Sequence, residues 1–289
     1  MSPSTAAAAS GTFALGGDLP VHRLGYGAMQ LTGPGVWGDP ADPDEAVRVL
    51  RRAVELGVDL IDTADSYGPY VSEDLIHKAL HPYPEGLVVA TKAGLVRPGP
   101  GRWAAVGRPE YLRQEVEMSL RRLGLERLDL LQLHRIDPHV PLEDQVGELA
   151  AMQREGKIHH IGLSEVDIDQ LAAAQQTAEI VSVQNLFNLA DRGSEALLDH
   201  ATATNIAFIP WFPLATGALA DGNGALKEVS SRHDASSAQV ALAWLLQRSP
   251  VMLPIPGTSS VSHLEDNVGA AGLTLSDEDM ALLTAAAPR

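Results

Sequence analysis

The chain has 289 residues, 21 Lys+Arg against 37 Asp+Glu, a formal net charge of −16 and no cysteine. A chain this long can bury one large core without covalent staples, and the missing thiols exclude a disulfide framework, thiolate zinc sites, iron–sulfur clusters and a cysteine nucleophile. So acidic a surface repels phosphate backbones and anionic lipid, which argues against nucleic-acid and membrane partners, and no stretch approaches the roughly 18 apolar residues of a membrane span.

The first ten residues, MSPSTAAAAS, lack the basic flank and apolar run of a signal peptide. They read as a disordered leader before a single domain over 11–289, with a reducing cytoplasm as the expected location. TFALGGDLPVHRL reads next as two short strands around a Gly-Gly-Asp turn. From Leu24 onward short apolar runs alternate with helical patterns, the signature of βαβ units. Strands are expected near 24–28, 58–61, 87–91, 128–133, 158–163, 180–184, 206–210 and 251–255. Eight is the number that closes a barrel.

Cap chemistry marks the helices between them. In DPDEAVRVLRRAVELG, Asp42 can cap, Pro43 suits the first helical position, Glu45 can reach back to the cap, and Gly57 ends the helix. Val47, Leu50, Val54 and Val58 recur at three and four, predicting one inward stripe. Gly124 and Gly156 close RPEYLRQEVEMSLRRLG and LEDQVGELAAMQREG in the same way. The fold class is therefore α/β, a (βα)8 TIM barrel with an N-terminal β-hairpin closing the bottom. An open doubly wound sheet would share the alternation, but its dinucleotide-binding version needs G-x-G-x-x-G after the first strand. LGYGAMQL supplies only Gly25 and Gly27.

In such a barrel, chemistry sits where the strands finish. Asp62 follows VDLI, Lys92 follows VVAT, His134 follows LDLLQL, and Tyr67 lies five positions after Asp62. The separations between the three strand-end residues are each about one βα unit, so these groups leave successive strands. Each alone has an ordinary structural explanation; together they are costly to bury without a use. A tyrosine hydroxyl titrates near ~10. An ammonium beside it stabilises the phenolate, which predicts a lowered pKa, and a carboxylate holds that ammonium charged. His134 would hydrogen-bond a substrate carbonyl oxygen.

DTADSYG, ATKAG, LLQLHR, HIGLSEV, VQNLFNL and IPGTSSVSHLEDN, in that order, resemble the aldo-keto reductase superfamily, and the likeness runs from about Leu15 to Leu275. Within it, RLGYGAMQLTGPGVWG, the Tyr-Gly-Pro of DSYGPYV and ALAWLLQRSP…IPGTSS look most like a bacterial pyridoxal-reductase branch. The resemblance implies the (βα)8 barrel with a bottom hairpin and a nicotinamide dinucleotide bound without a Rossmann domain. It implies a catalytic set of Tyr67 as acid, Lys92 and Asp62 as its tuners, and His134 as the orienting residue. It also implies cofactor contacts. Gly27 and Met29 would lie near the nicotinamide ribose, Asp62 would also contact the cofactor, Ser164 and Gln184 would bond the carboxamide, and Trp211 would stack on the ring. Phe212, Pro213, Leu214 and Gly217 would meet the pyrophosphate, with Asn267 against adenine.

Two departures stand out. Ser164-Glu165 replaces a Ser-Asn pair of many relatives, so Glu165 either bonds a nearby donor or faces water. Where many members grip the adenosine 2′-phosphate with Lys and Arg, this chain offers Gly257, Thr258, Ser259, Ser260 and His263. Hydroxyls and helix N–H groups can bind a phosphate unaided, so NADP(H) is the expected cofactor with NAD(H) the alternative.

Trp37, Tyr70 and Trp103 are expected to wall the substrate pocket, with a tryptophan-anchored surface loop as the alternative; Arg97, Arg102 and Arg108 beside them read as a solvated loop, with an anionic substrate as the other use. The expected function is NADP(H)-linked reduction of a small-molecule aldehyde or ketone, with pyridoxal as one candidate. The alternatives are a secondary-metabolite ketone or sugar reductase and a cofactor-binding regulatory subunit of a potassium channel. A metal-dependent hydrolase or lyase using Asp62, His134, His139, His159 or His160 is a further class. His159 and His160, adjacent in a strand, are expected to point to opposite faces and not to share a metal.

Overall fold

Local chemistry starts each element. Helix α1, Pro43–Glu55, begins where the Asp42 carboxylate accepts from the N–H groups of Asp44 and Glu45, with Pro43 at the first helical position. It buries Ala46, Val47, Val49, Leu50 and Ala53, so the inward stripe runs through alanines while Val54 is only half-buried. Glu45 does not reach back to its cap. Its carboxylate takes Arg48 Nε and the backbone N–H of Val261.

In the computed structural model residues 6–214 and 224–286 are described. Strands β1, Thr12–Leu15, and β2, Leu19–His22, pair antiparallel as the N-terminal hairpin. Seven parallel strands then form one curled sheet: β3 (Tyr26–Gly27), β4 (Leu60–Asp62), β5 (Val88–Ala93), β8 (Leu128–Leu133), β9 (Ile158–Ser164), β10 (Ile180–Leu186) and β11 (Ala207–Trp211), neighbours in that order. A second hairpin, β6 (Leu95–Gly99) and β7 (Arg102–Ala105), stands on the loop after β5. The crossovers are α1, α2 (Val71–Leu80), α3 (Pro109–Leu123), α4 (Leu142–Arg154), α5 (Ile168–Ala174) and α6 (Glu195–Thr204). After β11 come α7 (Gly224–His233), α8 (Ser237–Arg248), α9 (Val261–Gly269) and α10 (Asp277–Ala286). No helix among the described residues is long and apolar enough to cross a membrane.

The eighth expected strand, 251–255, occupies its place in the barrel without forming a regular ladder. Phe208 N–H donates to Val251 O and Leu253 N–H to Phe208 O on one side, while Gly25 N–H reaches Pro254 O on the other. Pro254 and Pro256 have no N–H to give, so the segment bonds both neighbours but cannot complete either ladder.

The hairpin lies under the barrel. His22 N–H donates to Asp59, just before β4, and Asp18 at the turn meets His159 and His160 at the start of β9. Residues 7–10 are not a disordered leader: Ala7–Ser10 form a turn of 3-10 helix, with Ala7 buried and its N–H bonded to Leu56 O. Ser10 Oγ accepts from Leu24 N–H. Small side chains let this segment pack against the floor, a signal that their low complexity hides. Residues 1–5 lie outside the described residues.

Parallel register sets the inward side chains in layers. Lys92 lies opposite Gln132, Gln132 opposite Gly162, and Ser164 opposite Gln184. A Cβ on Gly162 would sit 2.2 Å from Ser182 Oγ and 3.0 Å from Gln132 Cγ, so only glycine leaves room for Gln132 to lie across the barrel. Gly162→Ala is expected to destabilise the protein by about 1–3 kcal/mol through overpacking. Urea denaturation of the two proteins measures this, and an unchanged midpoint would mean that the interior is looser than its packing implies.

Candidate active site

Three strand ends and one loop carry the ionisable groups to a common point. Lys92, on β5, is completely buried and Asp62, at the end of β4, is 3% exposed. The Lys92 ammonium donates to Asp62 Oδ2 at 2.5 Å, to Thr63 O at 2.8 Å and to the Tyr67 hydroxyl at 3.2 Å. All three of its protons are used. His134, directly after β8, meets the Tyr67 ring edge-on at 5.8 Å. The four residues singled out in the sequence therefore form one constellation.

The other Asp62 oxygen is equally engaged. Oδ1 accepts from Gln132 Nε2 at 3.0 Å and Gln184 Nε2 at 2.8 Å. Gln132 was not singled out in the sequence. It stands two residues before His134 in LLQLHR, on the same face of β8, and that parity was the signal.

Burial and charge compete at each group. Burial pulls the Lys92 ammonium toward neutrality, but Asp62 and Tyr67 more than reverse this and its pKa lies above the ordinary lysine value. For Tyr67 the balance differs from the expectation. Burial is the largest influence and raises its pKa above 10; Lys92 opposes it without overcoming it, and Asp62 adds to the rise. The phenol is thus fully protonated at neutral pH. His134 is driven well below its usual range by burial and by the charges of Lys92, Arg135 and Arg97, so its imidazole is neutral. Ser66 Oγ lies 3.2 Å from Nδ1. With the Ser66 hydroxyl donating there, the ring proton sits on Nε2, where it can be given to a ligand oxygen.

This constellation closes one end of a cavity of about 940 Å³. Gly27, Met29, Asp62, Tyr67, Trp103 and His134 line that end, and Ser164, Gln184 and Trp211 continue the wall. Phe212, Pro213 and Leu214 follow, then Gly257, Thr258, His263 and Asn267 at the far end. Lys92 lies beneath the wall. Gly217 falls outside the described residues, and Ser259 is exposed and off the wall. The far end also includes Ser236, Ser237 and Asp266, which the sequence reading missed. Ser236 caps α8 in a reciprocal box with Gln239, a pattern visible in SSAQ. The N-termini of α8 and α9 converge there. Such a wall, running from ring groups past an aromatic face to two helix starts, suits an elongated ligand with a flat ring and phosphates.

Two expected pocket aromatics are elsewhere. Tyr70 turns outward with its ring on Arg122, the guanidinium carbon 4.2 Å from the ring centre, because its left-handed backbone (φ 72°) swings it off the mouth. Trp37 packs behind Arg97 and does not line the cavity. Arg97 itself is engaged: it donates to the carbonyls of Val36, Ser66, Gly35 and Arg102, and it stacks 3.6 Å from the Trp103 ring centre. It clamps three loops together and has little left for a substrate anion. Arg102 and Arg108 are exposed. Arg135, unforeseen, lines the cavity and donates to Ser164 Oγ at 3.0 Å.

Glu165 bonds nearby donors. Its Oε1 accepts from Trp211 Nε1 at 2.5 Å and Leu186 N–H at 2.8 Å, which fixes the indole plane.

The metal-hydrolase arrangement fails on position. His159 and His160 lie under the barrel with Asp18, at the opposite end from Asp62 and His134. They do not diverge as strand alternation predicts: their rings stack at 4.0 Å, because at the first turns of β9 both imidazoles can bend below the rim toward the same carboxylate.

The chain belongs to the aldo/keto reductase family, oxidoreductases that reduce carbonyl groups; the family model matches residues 23–288. It is 46% identical over 280 residues to pyridoxine 4-dehydrogenase of Escherichia coli, covering 95% of this chain and 97% of that protein. It is 57% identical over 267 residues to an uncharacterized oxidoreductase of Schizosaccharomyces pombe, covering 92% and 87%. An aldo-keto reductase from Klebsiella pneumoniae, solved in complex with NADPH, superposes with a TM-score of 0.81 at 28% identity, covering 94% of this chain and 93% of that one.

Asp62→Asn keeps the shape and the glutamine bonds but leaves a buried ammonium without its counter-charge. The expected cost at pH 7 is about 3–5 kcal/mol. The variant lysine has a folded pKa below its unfolded value, so the deficit at neutral pH shrinks as pH rises toward about 10. Chemical denaturation at several pH values checks both the size and the trend.

Proposed function

We propose that this chain catalyses the NADP(H)-dependent reduction of aldehydes or ketones to alcohols, with pyridoxal, yielding pyridoxine, as the leading substrate. One observation carries the chemistry: the Tyr67 hydroxyl is 3.2 Å from a buried ammonium whose other side is neutralised by Asp62 at 2.5 Å, at the head of a ligand-sized cavity.

The dihydronicotinamide, when bound, supplies the hydride that reduces the carbonyl carbon. Trp211, held by Glu165, offers the aromatic face for that ring; Ser164 and Gln184 offer groups for its amide. Gln184 would exchange its bond to Asp62 for one to the carboxamide, and Gln132 would keep Asp62 satisfied. Phe212, Pro213 and Leu214 line the middle, and the helix starts near Thr258 and Ser236 receive the phosphates. Among the described residues, His263 is the one basic side chain on the wall at that end. The NADPH complex of the Klebsiella relative supports the phosphorylated cofactor, with NADH as the competing reading.

The substrate carbonyl oxygen would accept two hydrogen bonds, from Tyr67 O–H and from His134 Nε2–H. As negative charge develops on that oxygen, Tyr67 transfers its proton to it and becomes a phenolate. Lys92 lies against the phenolate oxygen and limits the cost of forming it in a buried site; Asp62 keeps Lys92 charged throughout. His134, neutral at pH 7, aims the carbonyl. Trp103, clamped by Arg97, walls the substrate side with Leu95, Ala104 and Ala105. A flat apolar mouth of this kind suits an aromatic aldehyde, and the 46% identical pyridoxine 4-dehydrogenase points to the same class.

Tyr67→Phe should lower kcat for aldehyde reduction by about 10²–10⁴-fold, while NADPH binding, read by fluorescence quenching, stays close to that of the unmodified protein. Retained turnover would mean that another group is the acid. Pyridoxal should show a higher kcat/KM than a generic aliphatic aldehyde, and NADPH a lower Kd than NADH; parity in either comparison removes that part of the reading.

The pH profile follows from the same groups. The acid must be protonated, and a phenol with a raised pKa stays so as pH climbs, while His134 titrates below the usual range. Reduction measured as kcat at saturating NADPH should therefore be level between about pH 7 and 9. A fall centred within that interval would contradict the assignment of Tyr67.

A further inference from the structure

The floor of the barrel holds a cluster that carbonyl reduction does not use. Asp18, at the tip of the N-terminal hairpin, accepts from His159 Nε2 at 3.1 Å on one carboxylate oxygen and from His160 Nε2 at 2.7 Å on the other. The two imidazoles stack with centroids 4.0 Å apart and planes 20° from parallel, so both Nε2 atoms face the same carboxylate. All the potential ligand atoms lie within 4.8 Å of one another.

The turn is shaped around this arrangement. Gly16 and Gly17 both take positive φ, 61° and 88°, and a Cβ on Gly16 would sit 2.1 Å from His160 Cε1. No other residue would let the hairpin tip close over that ring. Asp18 remains 60% exposed while His160 is 10% exposed, so the cluster has one open side toward solvent. The bond from His160 holds the Asp18 carboxyl below its ordinary range, leaving it ionised at neutral pH. Asp129, on the neighbouring strand β8, adds a second carboxylate within electrostatic reach of both rings, partly countered by Arg127.

We infer that Asp18, His159 and His160 form a binding site for a divalent transition-metal ion at the bottom of the barrel. An ion held at roughly 2.0–2.2 Å by imidazole nitrogen and carboxylate oxygen puts neighbouring ligand atoms roughly 3.0–3.5 Å apart. The 2.7 and 3.1 Å nitrogen–oxygen separations need only small adjustment to reach that spacing, and the two stacked rings would tilt apart so that both nitrogens face one ion. Two imidazoles with one carboxylate select zinc, nickel or copper over magnesium or calcium, which prefer all-oxygen shells. Water completes the shell on the exposed side. His159 Nδ1 is buried without a hydrogen-bond partner, so this ligand lacks the outer acceptor that strengthens a metal-bound histidine. Micromolar rather than nanomolar affinity follows. The ion would tie the hairpin tip to the first residues of β9, at the opposite end of the strand from Ser164 and the catalytic groups. Its role is to close the floor, and carbonyl reduction should proceed equally with or without it.

The test uses tag-free protein stripped with a chelator and titrated with zinc chloride or nickel chloride by calorimetry, with thermal unfolding in parallel. One equivalent should bind with micromolar Kd, and the unfolding midpoint should rise by roughly 3–5 °C at a hundredfold excess over Kd. Asp18→Asn and His160→Gln should each weaken binding at least tenfold and remove the midpoint rise. Asp18 is exposed, so its variant folds in any case. His77 and His81 form a second stacked pair, 4.6 Å apart, and control for adventitious surface binding. The double substitution His77→Gln/His81→Gln should leave the affinity unchanged. No saturable binding, binding unaffected by Asp18→Asn and His160→Gln, or binding lost in the His77/His81 protein would each overturn the site.

Discussion

A single buried cation organises this barrel. Lys92 has no exposed surface, and an ammonium in that position survives only because Asp62 neutralises it and Thr63 O and the Tyr67 hydroxyl take its remaining protons. The need propagates outward. Asp62, once spent on Lys92, still has a free oxygen, which Gln132 and Gln184 satisfy from two other strands. Gln132 in turn needs the space that Gly162 leaves. A charge on one strand thus dictates residues on four other strands, and the layers of this interior are polar where a simple structural barrel would be packed with branched aliphatics.

The same burial decides which proton can move. Desolvation disfavours every charged form, so it lifts the phenol and depresses the imidazole, leaving two neutral donors beside one fixed cation. Lys92 does not make Tyr67 an anion at rest. It lowers the cost of becoming one, which matters only when an alkoxide forms nearby and takes the proton. That division, a neutral acid beside a permanent charge, lets the site hold its proton across the physiological range and release it only to a reacting oxygen.

Much of this was legible in the sequence, for identifiable reasons. The βα alternation and the strand-end groups Asp62, Lys92 and His134 follow from periodicity and position, because a barrel forces residues at strand ends to converge. Side chains in loops were not legible in the same way. Trp37 and Tyr70 look like pocket walls in a linear reading, but the left-handed backbone at Tyr70 and the guanidinium of Arg97 send them elsewhere. Proximity to lysine can be read from spacing whereas the depth of burial cannot, so the sequence predicts a lowered Tyr67 pKa where burial raises it. The last barrel position reads as a strand although its prolines forbid a full ladder, and Ala7–Ser10 reads as part of a leader because small residues carry no pattern even when they pack.

Asp65 shows how far the buried charge reaches into the loop that bears Tyr67. It lies between Asp62 and Tyr67 in the chain, yet it faces away from the cavity, toward Glu73, Glu115 and Arg122. One guanidinium cannot neutralise three carboxylates there. Arg122 is taken by Glu73 at 2.6 Å, and both Asp65 side-chain oxygens are buried without partners. Burial first, and then the charges of Glu73 and Glu115, push the Asp65 carboxyl well above its usual range and so favour its neutral form. Its backbone meanwhile does the positioning, with its N–H donating to Lys92 O and its carbonyl accepting from Tyr70 N–H. The loop is therefore pinned to β5 at the residue whose side chain supplies the ammonium. The phenol and the amine are carried by two segments bonded directly to each other, and their 3.2 Å separation does not depend on a ligand to assemble it.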